Sequence, residues 1–538
     1  MPLDKHSASS PIHWSAAEIA RRIAARDISA VEVTRAFLAR IEAINPQVNA
    51  VVVPRFEEAL DEARAADIRQ VRGEPLGPLH GVPITVKECF HLAGTPSCIG
   101  LENPDRRKPL KHDGILVRRL RQAGAIVLGK TNIPQLMIWH ESDNPIYGRT
   151  NNPWDLGRTC GGSTGGEASI IAAHGSPLGL GNDLGGSIRV PSHFCGIHGF
   201  KPTSYRLPRG GSMRTLRGFE AIVTQPGPLA RHVEDLSLGL SVLADGSDGE
   251  VAGDVAPGKV GDPRAVRIEG LRIAMWTSDG LIAPSPAIQR AVRDAAEVLR
   301  ALGAIVEELS TADVEQALHV QDVFDTYCGL LTADGGAGAR RLTRGSQLDW
   351  RVIRMRWLAS LGPAMRSVAE RALRMHGQQW MSRIVHHARP RSTDGYWTLI
   401  DHKNEVVASV LRWMRQNGYA AVLCPPFAVP APPHTRVFDM LAAASYAFIF
   451  NLLGWPAGVV STTRVRSGED AERPASRDLA LRQARATDRG SEGMPVGVQV
   501  AGLPWREDLV LAIMAAIEAG VAANPDYPCS YVVPNMTK

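Results

Sequence analysis

Nothing in this chain points to paired cysteines. The seven, at positions 89, 98, 160, 195, 328, 424 and 529, are odd in number and none falls in a Cys-x-x-Cys spacing. That pattern argues against a disulfide framework or a structural zinc site, and for reduced, buried thiols in a cytoplasmic protein. An excess of charge of one sign is missing too. Sixty Lys and Arg stand against 55 Asp and Glu, a net charge of +5 spread without long runs, which is too mild and diffuse for a nucleic-acid surface. The stretch MPLDKHSASSPIHWSAAEIARR has no apolar segment of the signal-peptide kind. The longest apolar run, 441–460, is interrupted in its second half by Asn451, Gly454, Pro456 and Gly458. A buried helix followed by a buried strand is expected there, not a membrane span.

What is present is ordinary globular material: 44% hydrophobic and 21% charged residues over 538 positions, enough for two or three domains or for one large α/β unit. Helical periodicity starts at Ser15 and again at Ser29, predicting two helices ahead of a short strand in NAVV. Residues 113–130 read as a helix, a glycine stop at Gly124 and a strand, and 269–307 as strand, helix and strand. Repeated alternation of this kind predicts an α/β/α fold, a large, mixed, mostly parallel sheet covered by helices on both faces. We read 1–538 as a single domain, with its core at 70–310 and 418–525. Residues 311–417 break the alternation and look helical throughout, rich in Trp and Met (Trp350, Met355, Trp357, Met365, Met375, Trp380 and Met381). These side chains read as packed core, with the wall of a substrate channel as the alternative. The charged insert 464–493 reads as a surface loop.

The most informative stretch is Gly157 to Thr203, which carries two glycine-flanked serines, Ser163 in GGSTGG and Ser187 in NDLGGSIR, 24 residues further on. Glycines around a serine let the backbone approach a ligand and free consecutive N–H groups to face one concavity, which is how an oxyanion is held. A linker is excluded by the interleaved IIAA, LGL and IRV. A phosphate loop fails because Glu167, not lysine, follows Gly166, and the dinucleotide fingerprint fails after Gly181. Gly161-Gly162-Ser163-Thr164-Gly165 does match the GxSxG turn of α/β-hydrolases, which would make Ser163 the nucleophile and leave Ser187 without a task. No cofactor is implied.

A lysine bears on the choice. HGVPITVK is a glycine/proline-bounded apolar run ending at Lys87, a buried-strand candidate. HGVPITVK, then GRTNNPWDLGRTCGGSTGGEAS, then GLGNDLGGSIRVPSHFCGIHGFKPT together resemble the amidase signature family of amide hydrolases. The likeness runs in order from NPQVNAVV at 45–52 to MPVGVQVAGLPWRED at 494–508. It implies the amidase signature fold and a Ser–Ser–Lys triad: Ser187 as nucleophile, Ser163 as bridging serine, linked by a cis peptide in the family, and Lys87 as base, with Gly162 in support. It also implies an oxyanion hole from the N–H groups of Leu184, Gly185, Gly186 and Ser187, with Asp183 and Arg189 bracing the loops. This chain has Asn182 where the family often has threonine and Thr164 where it often has serine, both conservative in hydrogen bonding. The chemistry stands without the likeness, since a serine hydroxyl needs a base in reach, and a buried lysine loses its charge more readily.

Within that family the motifs look most like the fatty acid amide hydrolase branch, in which the methionine of the KTNxPQxM segment, here Met137, contacts substrate. The expected reaction is cleavage of an apolar amide, anilide or carbamate, with esters as further substrates. An amidotransferase-type subunit releasing ammonia from glutamine inside a complex is the alternative. Expected partners are the small-molecule substrate alone, with no nucleic acid and no membrane span; a homodimer stays open.

Overall fold

Ser15 and Ser29 start the first two helices as their sequences require. Ser15 Oγ accepts from Glu18 N ahead of Ala16–Ala24, and Ser29 and Glu32 form a reciprocal capping box on Ala30–Val48. The computed structural model describes residues 10–215, 218–246, 255, 258–470 and 473–528; Cys529 lies outside the described residues. Fifteen strands follow one another along them: Val51–Pro54 (β1), Pro83–Lys87 (β2), Ile126–Thr131 (β3), Asp143–Asn144 (β4), Gly148–Arg149 (β5), Asn151–Asn152 (β6), Asp155–Thr159 (β7), Leu178–Asp183 (β8), His198–Lys201 (β9), Gln225–Ala230 (β10), Arg272–Met275 (β11), Ile305–Glu308 (β12), Ala421–Cys424 (β13), Ala457–Arg464 (β14) and Pro495–Gly502 (β15). Eleven of them form one sheet in the order β1-β3-β2-β8-β10-β9-β14-β15-β13-β11-β12, and β4-β5 and β6-β7 are separate ribbons.

Every residue of β2, β3, β8, β9, β10, β13 and β15 is buried. Successive side chains of a strand face opposite sides, so burial along the whole length means that both faces are covered. Within this eleven-stranded sheet only the edge strands, β1 and β12, show exposed positions. The mixed, helix-flanked α/β sheet is the expected architecture, but the expectation that it is mostly parallel needs correction. Four neighbouring pairs run parallel and six antiparallel. The reason lies in the connections. β8 crosses through the helix Arg189–Cys195 to β9, leaving a gap of one strand, and β10 fills that gap antiparallel to both. Parallel neighbours need a crossover, and β9 to β10 is joined through 202–224 without a described helix.

The stretch 441–460 resolves into a 3₁₀ turn ending at Ala444, the buried helix Ser445–Leu452 and β14, as its interruptions predict. Among the described residues no helix is long and apolar enough to cross a membrane. Residues 311–417 hold seven helices, from Thr311–Leu318 to Thr393–Gln416. Four of the seven Trp and Met side chains depart from the core reading: Trp357 is 60% exposed, Met365 63% and Met375 79%, and Trp350 is also exposed, whereas Met355, Trp380 and Met381 are half-buried and Trp380 packs on the core. The buried positions there include Phe324, Tyr327, Arg351 and Met414 beside Val352, Val406 and Val410. The insert 464–493 is not simply a loop, since it carries the helix Leu479–Asp488, capped by Asp478 and buried at Ala480 and Ala484. Spacing of four between those alanines gives it an inward face that net charge concealed.

Candidate active site

β2 and β8 are parallel neighbours with Val86 opposite Leu180, so their carboxyl ends deliver Lys87 and Asn182 to the same edge of the sheet. In open α/β sheets that edge is where ligands are bound. Between the two strands in sequence, the turn 160–164 leads into the helix Gly165–Ala172, and its Gly162–Ser163 peptide is cis, as the family likeness implies. Gly162 can only be glycine here, because a Cβ would lie 2.4 Å from Trp139 O.

Lys87 has no exposed surface, and its Nζ lies 2.8 Å from Ser163 Oγ, 2.9 Å from Thr164 Oγ1 and 2.8 Å from Asn182 Oδ1. Burial pushes its ammonium down to about 8 against the raising influence of Cys89, Asp183 and Glu167. Near neutrality the amine is thus close to giving up its proton, the condition for a lysine base. Ser163 is buried at 1% exposure and Ser187 is the more open at 8%. The Ser163 turn and the Ser187 loop are tied by Thr164 N donating to Ser187 O at 3.1 Å. The partner of Ser163 is a lysine and not the histidine that an α/β-hydrolase nucleophile requires, which removes the support for Ser163 as nucleophile.

The loop carrying Ser187 is held from beneath. The Asp183 carboxylate accepts from Gly186 N at 2.7 Å, from Ile188 N at 3.0 Å, from Arg189 Nη2 at 3.0 Å and from Asn451 Nδ2 at 2.9 Å. Burial would raise this carboxyl, but Arg189 and the amide donors hold it well below the usual carboxylate range. Arg189 in turn donates to Gln499 Oε1 and Ala447 O. One expected oxyanion donor is thereby corrected. Gly186 N–H is spent on Asp183, and its φ of +98° is what lets the chain turn there. The N–H groups of Leu184, Gly185 and Ser187 have no acceptor within the described chain.

Several side chains of the site have roles that the sequence motifs do not announce, Glu167 among them although it lies within GGSTGGEAS. Glu167 is fully buried, accepts from Thr85 Oγ1 and Thr131 Oγ1, and is pushed up to about 8 by burial, opposed by those two donors and by Lys87. Tyr327, from the helix Val320–Leu331, donates to Leu184 O and stacks on Phe448 with ring centres 4.1 Å apart. His140 Nε2 lies 2.9 Å from Gly185 O. The adjacent Glu141 pairs with the buried Arg351 at 2.6 Å, joining the 311–417 helices to the site. Met137 is half-buried and, like Leu136, has a left-handed φ (57° and 62°). Periodicity could have found the Val320–Leu331 helix, but not which strand end it would meet.

The sequence matches the family described as Amidase over residues 32–511. The chain belongs to the amidase family. Its reaction class is therefore hydrolysis of amide carbon–nitrogen bonds. The amidase is 33% identical over 466 residues to fatty-acid amide hydrolase 1 of Sus scrofa, covering 84% of this chain and 77% of that protein. It is 39% identical over 541 residues to indoleacetamide hydrolase of Bradyrhizobium diazoefficiens (strain JCM 10833 / BCRC 13528 / IAM 13628 / NBRC 14792 / USDA 110), covering 95% and 87%. A solved structure of fatty acid amide hydrolase superposes on it with a TM-score of 0.82 at 25% identity, over 96% of this amidase and 87% of that chain.

Proposed function

We propose that this chain hydrolyses an apolar carboxylic amide, anilide or carbamate, and esters as well, through an acyl-enzyme on Ser187. Lys87, neutral, takes the proton of Ser163 Oγ while Ser163 takes that of Ser187. Ser187 Oγ then bonds to the carbonyl carbon, and the oxygen of the tetrahedral adduct is held by the N–H groups of Leu184, Gly185 and Ser187. The proton returns through Ser163 to the leaving nitrogen as the C–N bond breaks. Water repeats the cycle on the acyl-enzyme, releasing the acid and restoring Ser187. The observation that carries this reading is the 2.8 Å contact of Ser163 with a fully buried lysine whose pKa is lowered to about 8.

An apolar acyl group is supported by relatives named for a fatty-acid amide and for indoleacetamide. Half-buried Met137 is the substrate contact in this reading, and the helices of 311–417 form a wall of the site through Tyr327 and Arg351. The six described thiols, all free and buried, support a cytoplasmic setting. The test is turnover by the purified chain of fatty amides, anilides, carbamates, aryl esters and glutamine. The chain alone should cleave apolar amides or anilides. Ammonia release from glutamine without anilide turnover would overturn the reading in favour of an amidotransferase-type subunit.

A further inference from the structure

Lys87 Nζ has three oxygen neighbours within 2.9 Å, whereas a neutral amine has two protons and one lone pair. The other protons in the cluster decide which neighbour meets the lone pair. Thr164 Oγ1 donates to the Asn182 carbonyl oxygen at 3.2 Å, an atom that only accepts, so toward Lys87 the Thr164 hydroxyl accepts. Asn182 Oδ1 carries no proton and also accepts. The Asn182 amide is kept in that orientation from its far end, where Nδ2 donates to Cys89 Sγ at 3.5 Å. Thr164, Asn182 and Cys89 are all buried, which limits the help water can give in satisfying these groups.

We propose that Thr164 and Asn182, with Cys89 orienting the Asn182 amide, are positioning residues that take both N–H groups of neutral Lys87 and so aim its lone pair at the Ser163 hydroxyl. The inference rests on the Ser187–Ser163–Lys87 relay proposed above and gives that relay its direction. Ser163 must donate to Lys87, which leaves its oxygen lone pairs for the proton of Ser187. An Asn182 amide turned over would set an N–H against Lys87 and occupy the lone pair, disabling the base while leaving the fold intact. Asn182 thus acts through Lys87 and touches no substrate.

The test compares Asn182→Asp, Asn182→Leu, Cys89→Val and Cys89→Ser with wild type. The readouts are kcat/KM against pH for an amide and its matched p-nitrophenyl ester, fluorophosphonate labelling of Ser187, and melting temperature. Asn182→Asp, nearly isosteric, places a carboxylate on Lys87 and should move the acid limb of amide hydrolysis to higher pH by about 1–3 units. Asn182→Leu should lose about 10–100-fold on the amide, the usual range for a supporting partner, and less on the ester. Cys89→Val should lower the amide-to-ester ratio in the same direction, and Cys89→Ser, which keeps an acceptor, should restore it. An unmoved acid limb and ratio in both folded Asn182 variants would overturn the inference, as would equal damage from Cys89→Ser and Cys89→Val. If wild type shows no Ser187 adduct, the relay itself fails and takes this inference with it. Wild-type labelling with unaffected Asn182 variants would sink the inference alone.

Discussion

Lys87→Met should lower amide turnover by about 10²–10⁴-fold, the range that general-base assistance supplies, while hydrolysis of a matched p-nitrophenyl ester suffers less. An amide nitrogen must be protonated to leave, and the proton it receives is the one Lys87 removed. An aryl oxide departs without that help. The sign of the pH dependence follows from the lowered lysine. Below about 8 Lys87 holds its proton and cannot accept another, so wild-type amide hydrolysis should fall about tenfold per pH unit on the acid side. The Met variant should lack that limb. Methionine fills much of the same volume without a buried amine, so folding should survive, which a melting curve checks. Near-normal amide turnover in this variant would make Lys87 structural.

Asp183→Asn is the second large effect, and here stability and rate fall together. Asp183 and Arg189 are both fully buried, 3.0 Å apart. Removing one charge of such a pair leaves the other unpaired in the interior and costs about 3–5 kcal/mol. Gly186, Ile188 and Arg189 also lose the carboxylate that holds their N–H groups, so the donors of Leu184, Gly185 and Ser187 drift from their aim. The melting temperature should drop sharply, and kcat should fall more than KM changes. Adding Arg189→Gln should recover part of the stability but not the rate, since the turn stays unbraced. Because the folded carboxyl lies well below its ordinary range, the contribution of Asp183 is intact at neutral pH. It is lost only as pH falls below the ordinary carboxylate values toward that depressed one. An unchanged melting temperature would contradict this role.

Much of the candidate site could be proposed from the sequence because its chemistry is concentrated in short motifs. Lys87, Ser163 and Ser187 each sit where glycines or a strand end force a particular backbone, and the structure brings the strand ends carrying Lys87 and Asn182 to one edge. The alternation of 113–130 and 269–307 became helices and strands where expected. Strand direction was not readable, because β10 is inserted between β8 and β9 by a long connection and periodicity carries no pairing information. The commitment of Gly186 N–H to Asp183 was equally hidden, since a GGS turn offers four donors on paper and only the folded loop sets which one is spent. Tyr327 and Arg351 reach the site from distant positions that no local pattern marks, and Glu167, although it lies inside GGSTGGEAS, has a role that the motif does not announce. Trp357 and Met375 misled in the other direction. Large apolar side chains suggest a core, but helices stacked outside the sheet have a face with nothing to bury it against.

The central claim, that Ser187 is the acylated nucleophile served through Ser163 by Lys87, is tested most directly by reacting the purified protein with a fluorophosphonate and mapping the adduct by mass spectrometry. A single adduct on Ser187, lost in Ser187→Ala and slowed in Lys87→Met, is the predicted result. An adduct on Ser163, or one on Ser187 that forms at the wild-type rate without Lys87, would contradict it.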